Sequence, residues 1–569
     1  MAARAVRIIT EVAAVDRPFD YALDDSADPI GLGDRVRVDF NHRSVRGWVI
    51  DEAVVSSELK TIKKWLGFGP PPSMLALLQW ASGRWYSSWS RFLLSASPKR
   101  IIHSLPDPPP SSALSTAVRE SAWITAPGVV QLAPTTDPLA LVLGAYDATR
   151  DADGSLLVLV PGEAWASRLR GRLEQRGCAV ASGEDQWDRM RAGWPVVVGA
   201  RGVALAPVPR VSGAVVIDAD DESFRSSAVP TWEAVAMLRE RCRRDGAPLW
   251  CTSMIPSPAL LDRGTYQKSD GLVGGWPLVS VADRRFSDPR EGVLTSAALE
   301  AARRALDGDE SIAVAVILQR LGSGRLLACV KCGELARCAQ CAQAEEEVGE
   351  MLSCAERHQH RARFCQHCGS TNLKRVRVGV TTLARDVSAQ LGQPVSEITA
   401  SLAPAATLER VVVGTEATWQ RVRRSGVVIF ADFDQYLLAP RASARRAAIM
   451  AVGKAGRLVG SRREGRGQVF LQTRRGDDAV VRALVDANFD DIIAEDVATA
   501  ELLSLGPYAA SADVTGPGSS AFVAGLVDAP VSVRATPEGY IVRAVDVATL
   551  TSALRSVDRP TERFRVAVE

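Results

Sequence analysis

Apolar and polar positions alternate in the first 60 residues in the manner of β-strands. The segments "RVRVDF" (35–40) and "RGWVIDEAVV" (46–55) carry this pattern, and Gly33 and Asn41 indicate turns. The amino-terminal part of the chain is therefore predicted to be β-rich.

The next segment changes its period. The run "PSMLALLQWASGRWYSSWSRFLLSA" (72–96) predicts a helix. It is followed by "SLPDPPPSSALS" (104–115), whose four prolines and four serines predict a linker without a core.

Short apolar runs then alternate with amphipathic stretches in two separate regions. In the region from about 120 to 265 the predicted strands are "LLVLVP" (156–161), "VVVGA" (196–200) and "AVVIDADD" (214–221). In the region from about 290 to 500 they are "SIAVAVI", "RVVVG", "GVVIFADFD" and "GQVFLQT". Buried strands that alternate with helices are typical of parallel, doubly wound sheets, so we expect an α/β protein with two such sheets.

Composition limits the partners. The chain has 569 residues, 47% of them hydrophobic and 24% charged, which is typical of a multidomain protein and excludes general disorder. There is no apolar run long enough to span a membrane and no secretory leader pattern, so we expect a cytoplasmic protein. The net charge is only +2, and a nucleic acid would therefore have to be bound by local basic patches.

Cysteines are concentrated in one segment. Seven of the ten lie between Cys329 and Cys368, and they form three C-x2-C pairs and one single cysteine: Cys329 and Cys332, Cys338 and Cys341, Cys365 and Cys368, with Cys354 alone. Each C-x2-C turn presents two thiolates to one tetrahedral metal, and two turns complete a zinc site. We therefore expect zinc.

Cys354 lacks the partner that a fourth pair would need. The residue three positions later is Arg357, which cannot bind a metal. Three of the five histidines, His358, His360 and His367, lie nearby, and His358 or His360 could supply the missing ligand.

Several short motifs occur in an order that resembles a known family. They are "RPFDY" (17–21), "GDRVRVDF" (33–40), "VVVGARGVALAP" (196–207), "TSMIPSP" (252–258), "CQHCGSTNL" (365–373), "MAVGKAGR" (450–457) and "GQVFLQT" (467–473). Together they resemble the primosomal protein N′ (PriA) family of bacterial replication restart proteins over most of the chain.

The resemblance implies a domain order. The expected parts are a 3′-end DNA-binding β domain (1–100), a proline-rich linker in place of a winged-helix domain (101–120), a first RecA-like lobe (121–270), a second RecA-like lobe (271–325 and 373–502), a zinc-binding module (326–372) inserted in the second lobe, and a small carboxyl-terminal domain (503–569).

Three parts of the family's ATPase site are altered. The expected G-x4-G-K-[ST] loop, which cradles phosphates and supplies a lysine, is replaced by "APGVVQLAPTTDP" (126–138). The family's D-E-E-H becomes Asp218 to Asp221 with Ala219 in place of the glutamate, and one arginine of the arginine-finger motif becomes Lys454, which leaves Arg457. We therefore expect a degenerate helicase without ATPase activity and without catalytic residues.

The resemblance also carries three residues onto the family's pocket for a DNA 3′ end. Asp20 would accept a hydrogen bond from the 3′-hydroxyl, Phe19 would contact the last base and Lys60 would contact a phosphate. The alternative, without the resemblance, is that Phe19 belongs to a core and Asp20 caps a turn. Asn41 stands where the family has a smaller residue.

Four arginines flank this pocket and could bind phosphate or simply be solvated: Arg35, Arg37, Arg43 and Arg46.

For the cysteines, the resemblance implies that the outer pairs share one zinc and the inner pairs share the other. Cys329, Cys332, Cys365 and Cys368 would form a complete site, whereas Cys338, Cys341 and Cys354 would form a second site that lacks one thiolate.

These inferences predict a zinc-containing replication restart protein that binds forked DNA with a nascent 3′ end. Its expected partners are primosome proteins, helicase-loading proteins and single-stranded DNA-binding protein, and no membrane. Two alternatives remain, an active 3′-to-5′ helicase with divergent motifs and a protein-interaction scaffold that no longer binds DNA.

Overall fold

The structure is a computed structural model. It describes the chain except for residues 1–3, 13–14, 24–29, 56–58, 227, 288–290, 309–311, 320–326, 341–344, 349–350, 355–357, 359, 376–379, 399–405 and 440–441. The chain divides into two compact units, one formed by residues 1–130, 137–267 and 496–569 and the other by residues 131–136 and 268–495. Among the helices in the described part, none combines the length and the apolar character needed to cross a bilayer.

The amino-terminal part is a small antiparallel sheet with the strand order β2-β1-β4-β3-β5. Its strands are β1 (Arg4–Thr10), β2 (Phe19–Leu23), β3 (Arg35–Phe40), β4 (Arg43–Ala53) and β5 (Lys64–Trp65). Thr61, three residues before β5, bridges Ala22 of β2, so the two sheet edges meet and the sheet closes around an apolar interior. That interior contains Val6, Ile8, Tyr21, Ile30, Val36, Val38 and Val49.

The turn predicted at Asn41 joins β3 to β4. Asn41 and His42 have φ angles of 47° and 60°, as the two central residues of a tight type I′ hairpin require. Asparagine tolerates this left-handed conformation better than most residues.

Residues 72–96 form two helices, where the sequence pattern predicted one. They are α1 (Pro72–Arg84) and α2 (Trp89–Ala96). The break lies at Tyr86, which has a φ of 44°, and is followed by Ser88 in the extended conformation of an N-cap. The apolar period continues across the break because Trp85 and Phe92 both pack inward, with ring centroids 6.1 Å apart.

The predicted linker has no regular structure between residues 101 and 115. It is anchored at Leu114, which joins the core of the next sheet, and at Ser112, whose carbonyl oxygen accepts a hydrogen bond from the Tyr146 hydroxyl at 2.9 Å.

The first predicted α/β region forms a seven-stranded sheet with the order β12-β6-β11-β10-β7-β9-β8. Strands β7 to β11 pair in parallel. The elements are α3 (Thr116–Ser121), β6 (Gly128–Gln131), α4 (Leu139–Thr149), β7 (Ser155–Leu159), α5 (Glu163–Glu174), β8 (Val180–Ala181), α6 (Trp187–Ala192), β9 (Val196–Gly199), β10 (Val211–Val216), α7 (Ala234–Asp245), β11 (Leu249–Ser253), α8 (Pro258–Leu261) and β12 (Tyr266–Lys268).

The second α/β region is built on a six-stranded sheet, and all of its pairings are parallel. The cysteine segment is inserted between its second and third strands. In chain order the elements are β13 (Leu278–Asp283), α9 (Ser296–Leu306), β14 (Val314–Ile317), β15 (Leu327–Cys329), β16 (Glu345–Val348), β17 (Met351–Cys354), β18 (His360–Ala362), β19 (Leu373–Arg375), α10 (Val380–Leu391), β20 (Val395–Ile398), β21 (Val411–Gly414), α11 (Thr418–Arg421), β22 (Val427–Phe430), α12 (Asp434–Leu437), α13 (Ala444–Val459), β23 (Gln468–Thr473), α14 (Ala479–Asp486) and α15 (Asp490–Leu502).

The six-stranded sheet has the order β13-β23-β22-β14-β21-β20. Its central strands are fully buried runs of Val, Ile and Phe, as expected of a parallel sheet covered on both faces. The insertion adds a two-stranded sheet (β15-β19) and a three-stranded sheet (β16-β17-β18). The chain is thus an α/β protein with a β-rich amino-terminal domain and two α/β regions, each built on a largely parallel sheet.

The remaining residues form a β-α-β-β-α-β domain with the strand order β25-β26-β24-β27. This is the ferredoxin-like arrangement, in which two helices cover one face of an antiparallel sheet. Its elements are β24 (Ala510–Thr515), α16 (Ser519–Ala524), β25 (Ser532–Thr536), β26 (Gly539–Ala544), α17 (Val547–Ser556) and β27 (Arg565–Val568).

Candidate DNA-binding and metal sites

Phe19 begins β2, opposite Ile8 of β1, and lies partly buried against the interior of the sheet. Its ring makes an edge-to-face contact with Phe40 at a centroid distance of 4.9 Å. The Arg17 guanidinium lies over the ring, 5.1 Å from the centroid. Phe19 therefore has an anchored ring with an exposed part, which is compatible both with a core role and with contact to a base.

Asp20 points to the opposite face of the sheet, as the alternation along a strand requires. Its Oδ1 accepts a hydrogen bond from Arg7 Nε at 3.0 Å. The strand register places Arg7 directly opposite Asp20 on one side and Asp51 on the other. The contact also raises the pKa of Arg7, mainly through the hydrogen bond and the charge of Asp20. Asp20 is therefore part of a row of charges across three strands and does not cap a turn.

Lys60 is exposed and lies beside β2. Its carbonyl oxygen accepts a hydrogen bond from the Ala22 N–H at 3.0 Å, and Ala22 O accepts one from the Ile62 N–H at 3.1 Å. The closure of the sheet therefore brings residue 60 next to the strand that carries Phe19 and Asp20, although 40 positions separate it from Asp20 in the sequence.

The four flanking arginines differ in their environments. Arg35 is buried and donates to the carbonyl oxygens of Pro98 and Arg100, both at 2.8 Å, so its suggested role as a surface cation is wrong. Burial lowers the pKa of Arg35. Arg46 pairs with Glu11 at 2.7 Å, whereas Arg37 and Arg43 are exposed.

Four cysteines converge in the inserted module. The sulfur atoms of Cys329, Cys332, Cys365 and Cys368 all lie within 4.8 Å of one another. The Cys329–Cys368 and Cys332–Cys365 sulfur pairs are both 3.5 Å apart. Four ligands at a Zn–S distance of about 2.3 Å form a tetrahedron with edges of about 3.8 Å, so this arrangement fits a zinc ion.

A glycine follows each of these two C-x2-C turns. Gly333 and Gly369 have φ angles of 75° and 72°, which side chains with a Cβ rarely adopt. Their N–H groups donate to the carbonyl oxygens of Cys329 and Cys365, both at 2.9 Å. The matching C-x2-C-G sequences therefore form matching turns.

A second cluster contains Cys338, Cys354 and His358. Both cysteines are buried, and the Cys354 sulfur lies 4.0 Å from Nδ1 of His358. Cys341, the remaining predicted ligand, lies outside the described residues. Of the two histidines that the sequence left open, the structure brings His358 to the cluster, while His360 lies on β18 opposite Ser353.

An ion pair supports the sheet beside this second cluster. Arg361 and Glu345 form a two-pronged pair, with the Nε–Oε1 distance at 3.0 Å, and Glu345 is completely buried. Glu345 lies directly opposite Cys354 across the strand pair β16–β17. The pair therefore supports the strand that carries Cys354, one of the candidate metal ligands.

The loop between β6 and α4 is the place where the phosphate-binding loop is expected. At the start of α4, Asp137 Oδ1 accepts a hydrogen bond from the Leu139 N–H at 3.1 Å and another from Arg172 Nη1 at 3.0 Å. Burial raises the pKa of Asp137, but these hydrogen bonds and the Arg172 charge outweigh it and hold the pKa below its usual range. A carboxylate thus occupies a helix N-terminus of the kind that binds phosphate in nucleotide sites.

Two carboxylates of the acidic motif after β10 also accept hydrogen bonds from neighbouring residues of the protein. Oδ2 of Asp220 accepts hydrogen bonds from the Ser253 hydroxyl at 2.7 Å and the Ser257 N–H at 3.2 Å. Asp221 Oδ1 accepts one from the Ser223 N–H at 2.9 Å. Asp218 is buried, with a φ of 55°, and Ala219 offers no carboxylate.

Three residues at these sites were missed in the sequence: Arg7, Arg17 and Asp137. Arg7 and Arg17 acquire a role only through strand pairing and ring contact, for which no local pattern exists. The position of Asp137 two residues before the first helical residue was the one available signal.

Comparison with known proteins gives a family match at the amino terminus. A model of the PriA 3′ DNA-binding domain (3'BD) matches residues 7–98. The chain is 22% identical to the replication restart protein PriA of Thermotoga maritima over 395 residues, which cover 62% of this chain and 52% of that protein. It is 26% identical to PriA of Treponema pallidum over 346 residues, which cover 55% of this chain and 50% of that protein.

The alignments thus span about half the length of these curated relatives. Among solved structures, the Mycobacterium smegmatis helicase Lhr aligns at 14% identity with a TM-score of 0.35, covering 76% of this chain and 58% of that chain. A Methanococcus jannaschii DEAD box protein aligns at 12% identity with a TM-score of 0.30, covering 65% of this chain and 87% of that chain. The chain is thus similar to replication restart proteins PriA of two bacteria, and its residues 7–98 match the model of the PriA 3′ DNA-binding domain.

Proposed function

We propose that this protein binds forked DNA that carries a nascent 3′ end and acts as a primosome scaffold, without hydrolysing ATP. The observation that supports DNA binding is the match of residues 7–98 to the model of the PriA 3′ DNA-binding domain, within which Phe19 and Asp20 both keep an exposed portion. The expected role of the protein is to reload the replicative helicase. Its expected partners in this role are primosome proteins, helicase-loading proteins and single-stranded DNA-binding protein.

The proposed 3′-end pocket has a simple chemistry. The carboxylate of Asp20 accepts a hydrogen bond from the terminal 3′-hydroxyl, and the ring of Phe19, which lies on the other face of β2, contacts the last base over the edge that this strand forms. Lys60 contributes an exposed ammonium for a phosphate contact. A 3′-phosphate would bring negative charge against Asp20 and would therefore bind more weakly.

The absence of ATPase activity is proposed from the state of two motifs, the loop at 126–138 and the acidic motif at 218–221. Asp137 takes the place of a phosphate at the N-terminus of α4, the loop 126–138 supplies no lysine, and Ala219 cannot polarise water. A nucleotide would therefore meet a negative charge where it needs N–H groups and a cation. The competing function, an active 3′-to-5′ helicase, would require other parts of the chain to supply the phosphate-binding N–H groups, the lysine and the water-polarising carboxylate.

We also propose that the module at 326–372 holds zinc as a structural metal. The four-thiolate cluster would hold one ion, and Cys338, Cys354 and His358 would hold a second one, with Cys341 as the expected fourth ligand. Zinc in such sites stabilises a small fold with little core of its own. The alternative scaffold function without DNA binding would keep this module and lose the 3′-end pocket.

Fluorescence anisotropy with two forks tests the proposal. The forks are identical except that the nascent strand ends in a 3′-hydroxyl or a 3′-phosphate, and both are titrated at the same salt concentration, with and without ATP. We expect tighter binding of the hydroxyl end, independent of ATP, and loss of the difference in Asp20→Asn. Asp51→Asn, which removes the other carboxylate beside Arg7, is the matched control. Equal affinity for the two forks would contradict the pocket.

A further inference from the structure

Arg7 uses only some of its N–H donors to hold Asp20, the carboxylate of the proposed pocket. Its Nε donates to Asp20 at 3.0 Å. Its Nη1 lies 4.0 Å from Asp51 Oδ2, beyond hydrogen-bond range. Within the described part of the chain, neither Nη group of Arg7 has a hydrogen-bond partner. The guanidinium is therefore anchored on one edge and open on the other.

The strands determine this orientation. Arg7 lies in the middle strand of the row Asp20–Arg7–Asp51, and the register of β1 against β4 shifts between Arg7 and Ile8. A bulge of this kind commonly re-aims a side chain at a functional site. The Arg7 and Asp20 side chains keep 40% and 34% of their surface exposed, so a ligand can reach both.

The charge balance of the row also favours a role for Arg7. Without the arginine, Asp20 and Asp51 would place two negative charges where a polyanion is to be bound. With Arg7 in the row, the net charge falls to one negative charge. A guanidinium is suited to a phosphodiester, because its planar N–H donors can form two parallel hydrogen bonds.

We propose that Arg7 is a further DNA-binding residue, which orients Asp20 through Nε and binds the phosphodiester of the terminal nucleotide through its Nη groups. This inference rests on the proposed function, since it requires Asp20 to receive the 3′-hydroxyl. It makes the pocket a two-part site, in which one residue recognises the hydroxyl and its partner recognises the phosphate one sugar away.

Arg4 provides a matched control on the same strand. It also pairs with a carboxylate, Glu52, at 4.0 Å, and both side chains are largely exposed. Arg4→Gln removes the same charge from β1 without touching Asp20, so it measures the general electrostatic effect on DNA binding.

The test compares Arg7→Gln, Arg7→Lys and Arg4→Gln in anisotropy titrations of the same two forks over a series of salt concentrations. Arg7→Gln should weaken binding of the hydroxyl fork about tenfold, and the slope of log affinity against log salt should fall by roughly 0.7–0.9, the value of one phosphate contact. Arg7→Lys should retain the slope and lose part of the affinity, because lysine keeps the charge but not the paired donors. Arg4→Gln should change affinity less than threefold.

The outcomes separate the two proposals. If the wild-type protein prefers the hydroxyl end but Arg7→Gln keeps the affinity and slope of wild type, the role of Arg7 is overturned and the pocket stands. Weaker binding with an unchanged slope also overturns the phosphate contact. If the wild-type protein binds both ends equally, the proposed 3′-end recognition fails, and the inference about Arg7 fails with it. Thermal melting of each variant verifies that it is folded.

Discussion

Arg457 Nε donates a hydrogen bond to the carbonyl oxygen of Pro134 at 3.0 Å. Both residues belong to the same compact unit, because residues 131–136 cluster with residues 268–495. Arg457 is the arginine that remains of the arginine-finger motif, and Pro134 lies in the loop that replaces the phosphate-binding loop. This hydrogen bond therefore connects the altered arginine-finger motif directly to the loop that replaces the phosphate-binding loop.

The first prediction concerns nucleotides. A fluorescent ATP analogue should show no saturable binding to the full-length protein, with or without DNA, because loop 126–138 lacks the lysine that phosphates require. Phosphate release should equal that of a buffer blank. Turnover above the blank that disappears in Asp218→Ala would mean that the site is active.

A second prediction concerns the two metal clusters. Elemental analysis should find between one and two zinc ions per chain, and a mild chelator should remove one first. Cys365→Ser should destabilise the module more than Cys354→Ser, because it removes a ligand from the cluster in which four thiolates would coordinate the metal. Thermal unfolding followed together with zinc release measures both effects. A larger loss for Cys354→Ser would show that the two clusters are wrongly ranked.

The second prediction extends to His358, whose role can be tested separately from that of the cysteines. His358→Ala should speed the release of the second zinc to a colorimetric chelator, since His358 Nδ1 faces Cys354. His360→Ala is the matched control and should release zinc at the wild-type rate, because His360 pairs within the three-stranded sheet away from the cluster. Equal rates for the two variants would remove His358 from the ligand set.

A third prediction addresses the buried pair of Glu345 and Arg361. Glu345 has no exposed surface, and the Arg361 side chain keeps 13%. Glu345→Gln leaves the guanidinium without its counter-charge and should lower the free energy of unfolding by about 3 kcal/mol. The nearby pair of Glu347 and Arg363 is more exposed, and Glu347→Gln should cost about 1 kcal/mol. Denaturant unfolding of the two variants gives the comparison.

A fourth prediction concerns pH. Burial, with a smaller effect from the charge of Asp434, raises the pKa of Asp432 from 3.8 to about 6, while Arg474, Gln435 and Arg284 oppose the shift. Because the folded state binds this proton more tightly, its contribution to stability is fully present below pH 3.8 and is lost as the pH rises through about 6.

Stability should therefore rise as the pH falls from 7 to 5, by an amount on the order of 1 kcal/mol from this group. Asp432→Asn should be more stable than wild type at pH 7 and should flatten the profile between pH 5 and 7. Parallel profiles for the two proteins would show that Asp432 does not titrate in this range.

Sequence patterns predicted the parts of the fold that depend on near neighbours. The alternation in "RVRVDF" predicted β3, the apolar runs "VVVGA" and "GQVFLQT" predicted buried strands, and Asn41 predicted a turn. The repeated C-x2-C spacing predicted metal-binding cysteine pairs, whereas the convergence of the two outer pairs was implied by the family resemblance. These features are local, because a strand alternates its faces every residue and a C-x2-C turn closes within one loop.

The sequence did not predict the break at Tyr86. The apolar spacing around it is compatible with one helix, and the break depends on how Trp85 and Phe92 pack. The local pattern therefore correctly predicted which side chains are buried but wrongly predicted one continuous helix.

By itself, then, the sequence determined the β-rich amino terminus, the two parallel sheets, the cysteine cluster and the loss of the phosphate-loop lysine. The tertiary structure decided that Arg7 holds Asp20, that Arg35 is buried, that His358 and not His360 faces Cys354, and that Asp137 accepts a hydrogen bond from the first residue of α4. Each of these depends on strand register, on closure of the sheet or on the direction of a single side chain. A shift of one residue in a strand register moves every side chain to the opposite face, so residue spacing alone could not choose among these partners.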